Sequence, residues 1–366
     1  MKMRYALLFI LCVVPLLAQE KSFTPGGKFS GLMYSDYYYN FSRDALFGGT
    51  PPPNAAVSSN APGATAMQAF QIRRVYLTYD YEIAEQLTTR FRLEVDQAAN
   101  ASNGKIGSFV KDAYLKWKNI FAGSDLIVGI QPTPTYDVSE AAWGYRSLEK
   151  TIMDLRGIVP SRDQGVSLKG KLTGNGSVNY WLMFANNSAN SPETDKYKRY
   201  YGHIQVKPLT GLQATLNIDY RAAADIRNRF TNTSVSNDIL TSSLFMSYGE
   251  AGKYSLAVEG FMMSTSNGYD NGTSLASKSG LGISVFGNLN LSSDLVLVGR
   301  FDNYDPNTDE TAAGDVRNYI IGGLDWKVAK NVSIIPNVLY ETYEAPRTGS
   351  APDASLTGRV TFYYTF

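Results

Sequence analysis

The chain has 366 residues, with 34 Lys and Arg, 33 Asp and Glu, one His and one Cys. The near-neutral charge argues against a nucleic-acid partner, and the lone Cys12 excludes disulfides and thiolate metal sites. After Ala18 no apolar run approaches the roughly 20 residues of a membrane helix, whereas 25 Tyr and 32 Gly suit aromatic belts and tight turns. No metal and no other cofactor is predicted.

The first 18 residues predict a secretory signal peptide. Lys2 and Arg4 are a short basic region, and Ala6 to Leu17 is an apolar stretch too short to span a bilayer. Cleavage after Ala18 leaves a mature chain of residues 19–366. This removes two of the 34 basic residues and none of the 33 acidic ones, so the mature net charge is about −1.

Amphipathic strands are predicted along the whole mature chain, because apolar and polar residues alternate with a period of two. Leu87 to Gln97 shows the clearest alternation. Sixteen strands result, with 14 or 18 left open because one hairpin could be miscounted. The predicted strands are 28–41, 68–82, 87–97, 109–118, 124–131, 164–173, 177–187, 200–208, 212–222, 239–248, 253–264, 280–289, 294–304, 316–328, 332–343 and 356–366.

The connections between these strands alternate between long and short, which is typical of outer-membrane barrels. A chain that spans a membrane without apolar helices must close its strands into a barrel, because lipid leaves no partner for an open sheet edge. The sequence therefore predicts an all-β, transmembrane antiparallel β-barrel with long extracellular loops and short periplasmic turns. The long loops are predicted near 42–67, 188–199, 223–238, 265–279, 305–315 and 344–355.

The last strand, Leu356 to Phe366, carries aromatic residues on its apolar face and ends the chain on Phe366. An exposed terminal Phe suits a face that meets lipid and its interfacial aromatic girdle. It also resembles the sorting signature of bacterial outer-membrane barrels. We expect a Gram-negative type outer membrane as the location, with the barrel-assembly machinery and lipopolysaccharide among the partners.

The polar face of each strand is expected to line the lumen, and a barrel of 16 to 18 strands leaves an aqueous channel. An Arg or Lys on the lipid face would cost roughly 2–4 kcal/mol at the bilayer midplane. The lumen face carries 13 Lys or Arg against nine Asp or Glu. This predicts either a mildly anion-favouring pore or a hydrated wall with paired charges. The candidate pore-lining residues are Arg74, Arg90, Arg92, Glu94, Asp96, Lys116, Lys118, Lys169, Lys171, Arg221, Arg300, Arg317 and Arg359.

The segment 132–163 shows no strand alternation and is longer than a hairpin needs. A loop that folds into a barrel places its charges at a narrow point, where they set selectivity. We predict that this segment constricts the pore; an ordinary exposed loop is the alternative. Its candidate residues are Arg146, Lys150, Arg156 and Arg162.

Catalysis is not predicted. His203 is the only histidine, and no G-x-S-x-G motif accompanies it. The acidic stretch Asp305 to Glu310 lacks the Gly and the distant Glu of an EF-hand. The stretch predicts instead an acidic external loop that divalent ions bridge to lipopolysaccharide.

Several segments resemble the phosphate-selective porin O/P family of Gram-negative outer membranes. The resemblance implies a trimer of 16-stranded barrels, an inward-folded third loop, and a pore lined by a ladder of Arg with several Lys. Here Glu94, Asp96, Asp112 and Asp219 stand among the basic residues, which departs from that ladder. The segments are Phe70 to Tyr79, Arg90 to Asp96, Asp112 to Trp117, Val128 to Pro134, Pro160 to Gly170 and, more loosely, Arg300 to Asn307.

The sequence thus predicts an outer-membrane porin for passive diffusion of small hydrophilic solutes, with a phosphate-like anion preference left open. A non-conducting structural or adhesion barrel is the alternative.

Overall fold

The computed structural model describes residues 23–44, 64–100, 104–312, 314–347 and 349–366, with the backbone alone at 97–100. The predicted signal peptide at 1–18 lies outside the described residues, and so does most of the predicted 42–67 loop.

Sixteen strands of the described chain close into an antiparallel barrel, which confirms the predicted fold class and strand count. Two further short strands, β10 (Ile226–Arg227) and β11 (Ser234–Val235), form a separate hairpin between β9 and β12. The barrel strands are β1 (Gly26–Ser42), β2 (Gln68–Ala84), β3 (Leu87–Asn100), β4 (Ile106–Phe121), β5 (Ser124–Pro132), β6 (Arg162–Lys171), β7 (Val178–Ala185), β8 (Arg199–Leu209), β9 (Leu212–Arg221), β12 (Ile239–Glu250), β13 (Tyr254–Asp270), β14 (Leu275–Asn290), β15 (Leu295–Asp305), β16 (Arg317–Ala329), β17 (Val332–Tyr343) and β18 (Ser355–Thr365).

Each strand pairs with its neighbours in sequence, and β1 pairs with β18 to close the barrel. The terminal residue takes part in this closure. Phe366 donates its N–H to the carbonyl of Gly31 at 3.0 Å, and its own carbonyl accepts from Gly31 at 2.9 Å. No edge of the sheet is left open, as a lipid environment requires.

The apolar face of the strands points outward. On β3 the side chain of Phe91 is 45% exposed on the outer surface, while Glu94 on the opposite parity is buried inside. The same division holds at the end of β18, where Phe362 and Tyr364 face outward and Thr361 faces inward. A closed barrel with an apolar outer belt is a multi-pass outer-membrane β-barrel, because only lipid can cover that belt.

One predicted loop is wrong. The residues 265–279 were expected to form a long loop, but β13 and β14 continue through them and leave only 271–274 as a turn. Beyond the lipid belt a hydrogen-bonded ladder does not need apolar alternation, so Ser, Asn and Gly in this region do not mark its end. A register shift between Thr265 and Tyr269 interrupts the extended hairpin.

In the described part of the chain, three short helices lie in the connections: α1 (Asp137–Trp143) and α2 (Ile152–Leu155) between β5 and β6, and a 3₁₀ turn at Glu310–Ala312. Helix α1 ends at Gly144, which has a φ of +67° and donates its N–H to Glu140 at 3.0 Å. Glycine adopts this left-handed conformation without a steric penalty. Among the described residues, no helix is both long enough and apolar enough to span a bilayer.

Candidate functional site

The segment 133–161, between β5 and β6, lies inside the barrel; we call it the inner loop. Its Trp143 and Leu148 are almost completely buried. The Trp143 ring meets the inward ring of Phe286 edge-on, with centroids 5.2 Å apart. These residues belong to an apolar cluster that joins the inner loop to β12–β17: Val138, Trp143, Leu148, Leu155, Phe245, Ala257, Phe286, Val296, Val298, Tyr319, Ile321, Ile335 and Leu339.

A second apolar cluster contains residues from the start of the inner loop and from its second half. Ile152 and Met153 of α2 are fully buried. Their neighbours come from β7, β8, β13 and β15, so the inner loop contacts the wall on more than one side. The cluster comprises Tyr136, Ile152, Met153, Ile158, Val159, Met183, Ala185, Tyr201, Phe261 and Tyr304.

Two arginines of the wall hold the backbone of the inner loop at the barrel seam. Arg73 of β2 donates to the carbonyls of Leu148, at 3.1 Å, and Ser147. Arg359 of β18 donates to the same Leu148 carbonyl. Both surround the fully buried carboxylate of Asp36, whose Oδ1 also accepts from Arg73 at 3.0 Å. The seam, where β1 pairs with β2 and β18, therefore also holds the inner loop in place.

Two lumen residues escaped the sequence analysis because they sit at β-bulges. Arg73 is an extra residue of β2 opposite β1, and Lys111 is an extra residue of β4 opposite β3. A bulge lets two consecutive residues face the same side, so Arg73 joins Arg74 and Lys111 joins Asp112 inside the barrel. The signal was present in the sequence, since strict alternation would have placed a basic residue on the lipid face at a cost of roughly 2–4 kcal/mol.

Most acidic side chains of the lumen are covered and paired. Glu94 lies between Arg74 at 2.8 Å and Lys111 at 2.9 Å, and it is 1% exposed. The others are similarly enclosed, which removes much of the negative charge from the water-accessible wall. The covered pairs are Asp112 with Arg92 and Arg162, Asp219 with Arg199, Asp302 with Arg300, and Glu341 with Arg156.

Two adjoining cavities lie within the lumen, mainly beside β2–β9. The turn cavity, of about 720 Å³, lies toward the barrel end that carries the short turns 122–123 and 210–211. The loop cavity, of about 390 Å³, lies between the inner loop and β1–β3. The cavities share Arg90 and Asp137 in their linings. Together they are lined by eight basic residues (Arg90, Arg92, Lys116, Arg146, Arg162, Lys169, Lys171 and Lys207) and three acidic residues (Asp125, Asp137 and Glu140).

The predicted site residues fall into three groups. The first lines these cavities: Arg90, Arg92, Lys116, Lys169 and Lys171 of the wall, with Arg146 and Arg162. The second faces the interior but is covered: Arg74, Glu94, Arg300, Arg359 and, on the inner loop, Arg156. The third lies elsewhere: Lys118 pairs with Glu82 at the turn end, Asp96 lies 3.9 Å from Arg74, Arg221 lines a separate cavity beside 186–195, Arg317 packs on Tyr343, and Lys150 offers its carbonyl to Arg300.

The inner loop carries a compact charge cluster of its own. Arg146 donates to Glu140 at 2.8 Å and to Asp154 at 2.6 Å. Burial by itself raises the pKa of Asp154, but the nearby charges of Arg146 and Lys150 lower it below its usual range. Asp154 therefore stays ionised, and together with Glu140 it offsets the positive charge of Arg146 within the loop.

No protein-family model matches the sequence, and no curated protein is significantly similar to it. The resemblance to the phosphate-selective porin O/P family is therefore not confirmed. Solved structures do match, and the three that follow are each 12% identical to this chain. They include the anion-selective porin from Comamonas acidovorans (TM-score 0.63, covering 94% of this chain and 100% of that one). The outer membrane channel DcaP of Acinetobacter baumannii (0.63; 96% and 100%) and Salmonella typhi OmpF in complex with daunomycin (0.61; 93% and 97%) match similarly. The protein has the fold of the Gram-negative outer-membrane porins.

Proposed function

We propose that the protein is an outer-membrane channel through which small hydrophilic solutes diffuse passively, with anions favoured over cations. The charge of the accessible lumen carries this proposal. Eight basic residues but only three acidic residues line the two cavities, while most acidic residues of the wall are covered. Low-dielectric walls concentrate the field of such charges, so a surplus of one sign raises the concentration of the opposite ion.

The preference is for anions in general rather than for phosphate. A phosphate ladder needs several bases free to bind one oxyanion after another. Here Arg92 and Arg162 both bind Asp112, at 3.2 and 2.5 Å, and Arg90 binds Asp80 at 2.6 Å. These arginines keep a positive field but have fewer donors left for a ligand.

Planar-bilayer recordings with purified protein test the proposal. With a KCl gradient, the reversal potential is expected to move toward the chloride equilibrium potential. The shift should shrink at 1 M salt, where the Debye length is only about 3 Å. A reversal potential at zero or toward potassium would contradict the anion preference.

The channel function requires no catalytic group. His203 has a structural partner, since its Nδ1 lies 2.6 Å from the side-chain carbonyl of Asn217. The charge and the size of a solute govern its passage.

A non-conducting structural or adhesion barrel is the second candidate, and the inner loop is the observation that favours it. The loop packs against β12–β17 in one cluster and against β7, β8, β13 and β15 in the other. The same recordings discriminate the two, because a correctly folded barrel that passes no current would support the structural barrel.

The remaining expectations are part of this proposal. We expect a homotrimer, removal of residues 1–18 after Ala18, recognition of Phe366 by the barrel-assembly machinery, and contact of the 305–315 loop with lipopolysaccharide. Intact mass spectrometry of the mature protein tests the cleavage site. Light scattering of the detergent-solubilised protein tests the trimer.

A further inference from the structure

Two neighbouring rows of inward side chains cross strands β5 to β9 in the turn cavity. Strand register places the members of each row directly beside one another. The first row runs Asp125, Lys169, Trp181, His203 and Asn217. The second row, closer to the turns, runs Lys171, Asn179, Gln205 and Thr215.

The second row continues into a chain of side-chain amides. Asn179 donates to Gln205 at 3.2 Å, Gln205 donates to Gln213 at 2.9 Å, and Gln213 donates to Ser247 at 3.1 Å. Each amide offers two donors and two acceptor lone pairs, so these bonds fix the orientation of the row and leave further donors and acceptors for the cavity. Hydroxyl groups, which both donate and accept, are suited to such a row.

Two lysines flank the amide row with positive charge that no described acidic group neutralises. Lys171 stands beside Asn179, and Lys207 lies two residues beyond Gln205 on the same face of β8. Both line the turn cavity and are exposed. By contrast, Lys169 of the same cavity is paired with Asp137 at 2.7 Å. Ammonium groups without carboxylate partners are ready donors for a ligand oxyanion.

Trp181 lies on the wall of the cavity and is 3% exposed, with Lys169 3.9 Å from its ring centroid. Its indole N–H has no acceptor within the described part of the chain. A buried donor without a partner is unfavourable, which points to an acceptor supplied from the cavity by water or by a solute.

We propose that the turn cavity is a binding site for small hydroxylated organic anions, such as sugar acids or sugar phosphates. The oxyanion binds Lys171 and Lys207, and the hydroxyl groups bind the row formed by Asn179, Gln205 and Gln213. A cavity of about 720 Å³ accommodates a ligand of this size. The inference deepens the proposed channel function, on which it rests, by naming the solute class that pauses in the lumen.

Titration calorimetry on the detergent-folded full chain tests the site without relying on current. Gluconate and glucose 6-phosphate represent the two sources of the oxyanion. At least one is expected to bind about tenfold more tightly than acetate or inorganic phosphate, and glucose should bind least. The one of these two ligands that binds more tightly shows whether the site recognises a carboxylate or a phosphate. Binding no tighter than acetate and phosphate would overturn the proposal.

Two variants separate the parts of the site. K171Q/K207Q should weaken binding of the preferred ligand at least tenfold, whereas K327Q/K330Q, which removes the same charge on β16 and the following turn, should leave it unchanged. N179A/Q205A should reduce the preferred ligand to the affinity of acetate or phosphate and leave those two unchanged. Heat-modifiable gel migration confirms that each variant folds. Equal losses in the two lysine variants, or full binding in N179A/Q205A, would overturn the assignment.

Current recordings on the same preparations keep the two proposals apart. A conducting, anion-selective channel without preferential binding would overturn the site alone. A silent barrel that still binds gluconate or glucose 6-phosphate would overturn the channel and support the site, because the turn cavity is also reached from the turn end.

Discussion

The strands of both halves of the lumen wall alternate in the same way, but the inward side chains of the two halves have different roles. On β12–β17 the inward residues include Phe286, Ile321 and Leu339, and the inner loop covers them with Trp143 and Leu148. On β2–β9 the inward residues are mainly charged or amide side chains that border two cavities. An inward position in a barrel therefore becomes either a core position or a channel position, depending on whether another element packs against it.

Ion pairs that are buried and ion pairs that border the cavities differ in the same way. Arg156 and Glu341 in the packed half have side chains only 0% and 2% exposed. Lys169 and Asp137 in the open half are 41% and 44% exposed. Breaking a buried pair leaves a charge without solvent and is strongly destabilising, whereas an exposed pair contributes roughly 0–1 kcal/mol. Buried pairs, which occur in both halves, should therefore govern stability, and pairs that border the cavities should govern selectivity.

Removing the arginines at the seam should have the largest effect. R73Q/R359Q leaves the buried carboxylate of Asp36 without its cations and releases the carbonyls of Ser147 and Leu148. Loss of one buried partner costs about 3–5 kcal/mol, so we expect a lower denaturation temperature and a larger, noisier single-channel conductance. Thermal gel shifts and bilayer recordings measure both.

The matched control is Arg90→Gln in the open half, whose pair with Asp80 is 30% and 41% exposed. This change should cost no more than about 1 kcal/mol. If it destabilised the barrel as much as R73Q/R359Q, burial would not decide which ion pairs stabilise the barrel.

Truncating the main apolar contact of the inner loop should have a similar but smaller effect on the channel. Trp143→Ala removes a buried ring packed on Phe286 and the indole bond to the carbonyl of Glu149 at 2.7 Å. Such a truncation costs about 3–5 kcal/mol, while the arginine bonds still hold the loop at the seam. Hydrogen exchange across 133–161 should increase markedly.

Trp326→Ala serves as its control, because Trp326 is 53% exposed on the outer face. Exchange across the inner loop should stay at its original level in this variant. Unchanged exchange in Trp143→Ala as well would mean that the apolar cluster does not seat the loop.

A smaller effect is expected on ion selectivity. Neutralising Lys169 and Lys171, which line the turn cavity, should lower the chloride-to-potassium permeability ratio by about twofold, because they border water in the lumen. Neutralising Arg156, which is fully buried against Glu341, should change the ratio less. Reversal potentials at low salt measure the difference, and a larger shift in Arg156→Gln would place the constriction at α2.

The smallest effect should come from the connection between β15 and β16, over the packed half. Burial and the charge of Asp305 raise the pKa of Asp315 to about 6. A carboxyl with a raised pKa binds its proton more tightly when folded, so this connection should gain stability as the pH falls from 7 through 6 and lose it as the pH rises again. Hydrogen exchange at 306–316, corrected for intrinsic rates, should be slower at pH 5 than at pH 7.5.

Asp315→Asn removes the titrating group and should abolish this pH dependence while leaving the inner loop unaffected. A pH dependence that persisted in the variant would assign the titration to a group other than Asp315.

Local sequence patterns were sufficient to predict the strands. They gave wrong predictions where the structure departs from strict alternation of apolar and polar residues. All 16 predicted strands are present, because alternation and turn residues act over a few neighbouring positions. The loop expected at 265–279 failed because polar strands outside lipid show no apolar parity. Arg73 and Lys111 were missed because a bulge shifts parity by one residue, and strict alternation was assumed across it.

The sequence by itself determined a closed antiparallel barrel of about 16 strands and, away from the bulges, the face of each strand that meets lipid, because a charge on the lipid face is too costly to tolerate. Only the tertiary structure decided which inward residues border water. That depends on contacts between distant parts of the chain, such as Arg359 with Leu148, 211 positions apart, and Arg156 with Glu341, 185 apart. Periodicity reports the direction of a side chain, but burial depends on what packs against it.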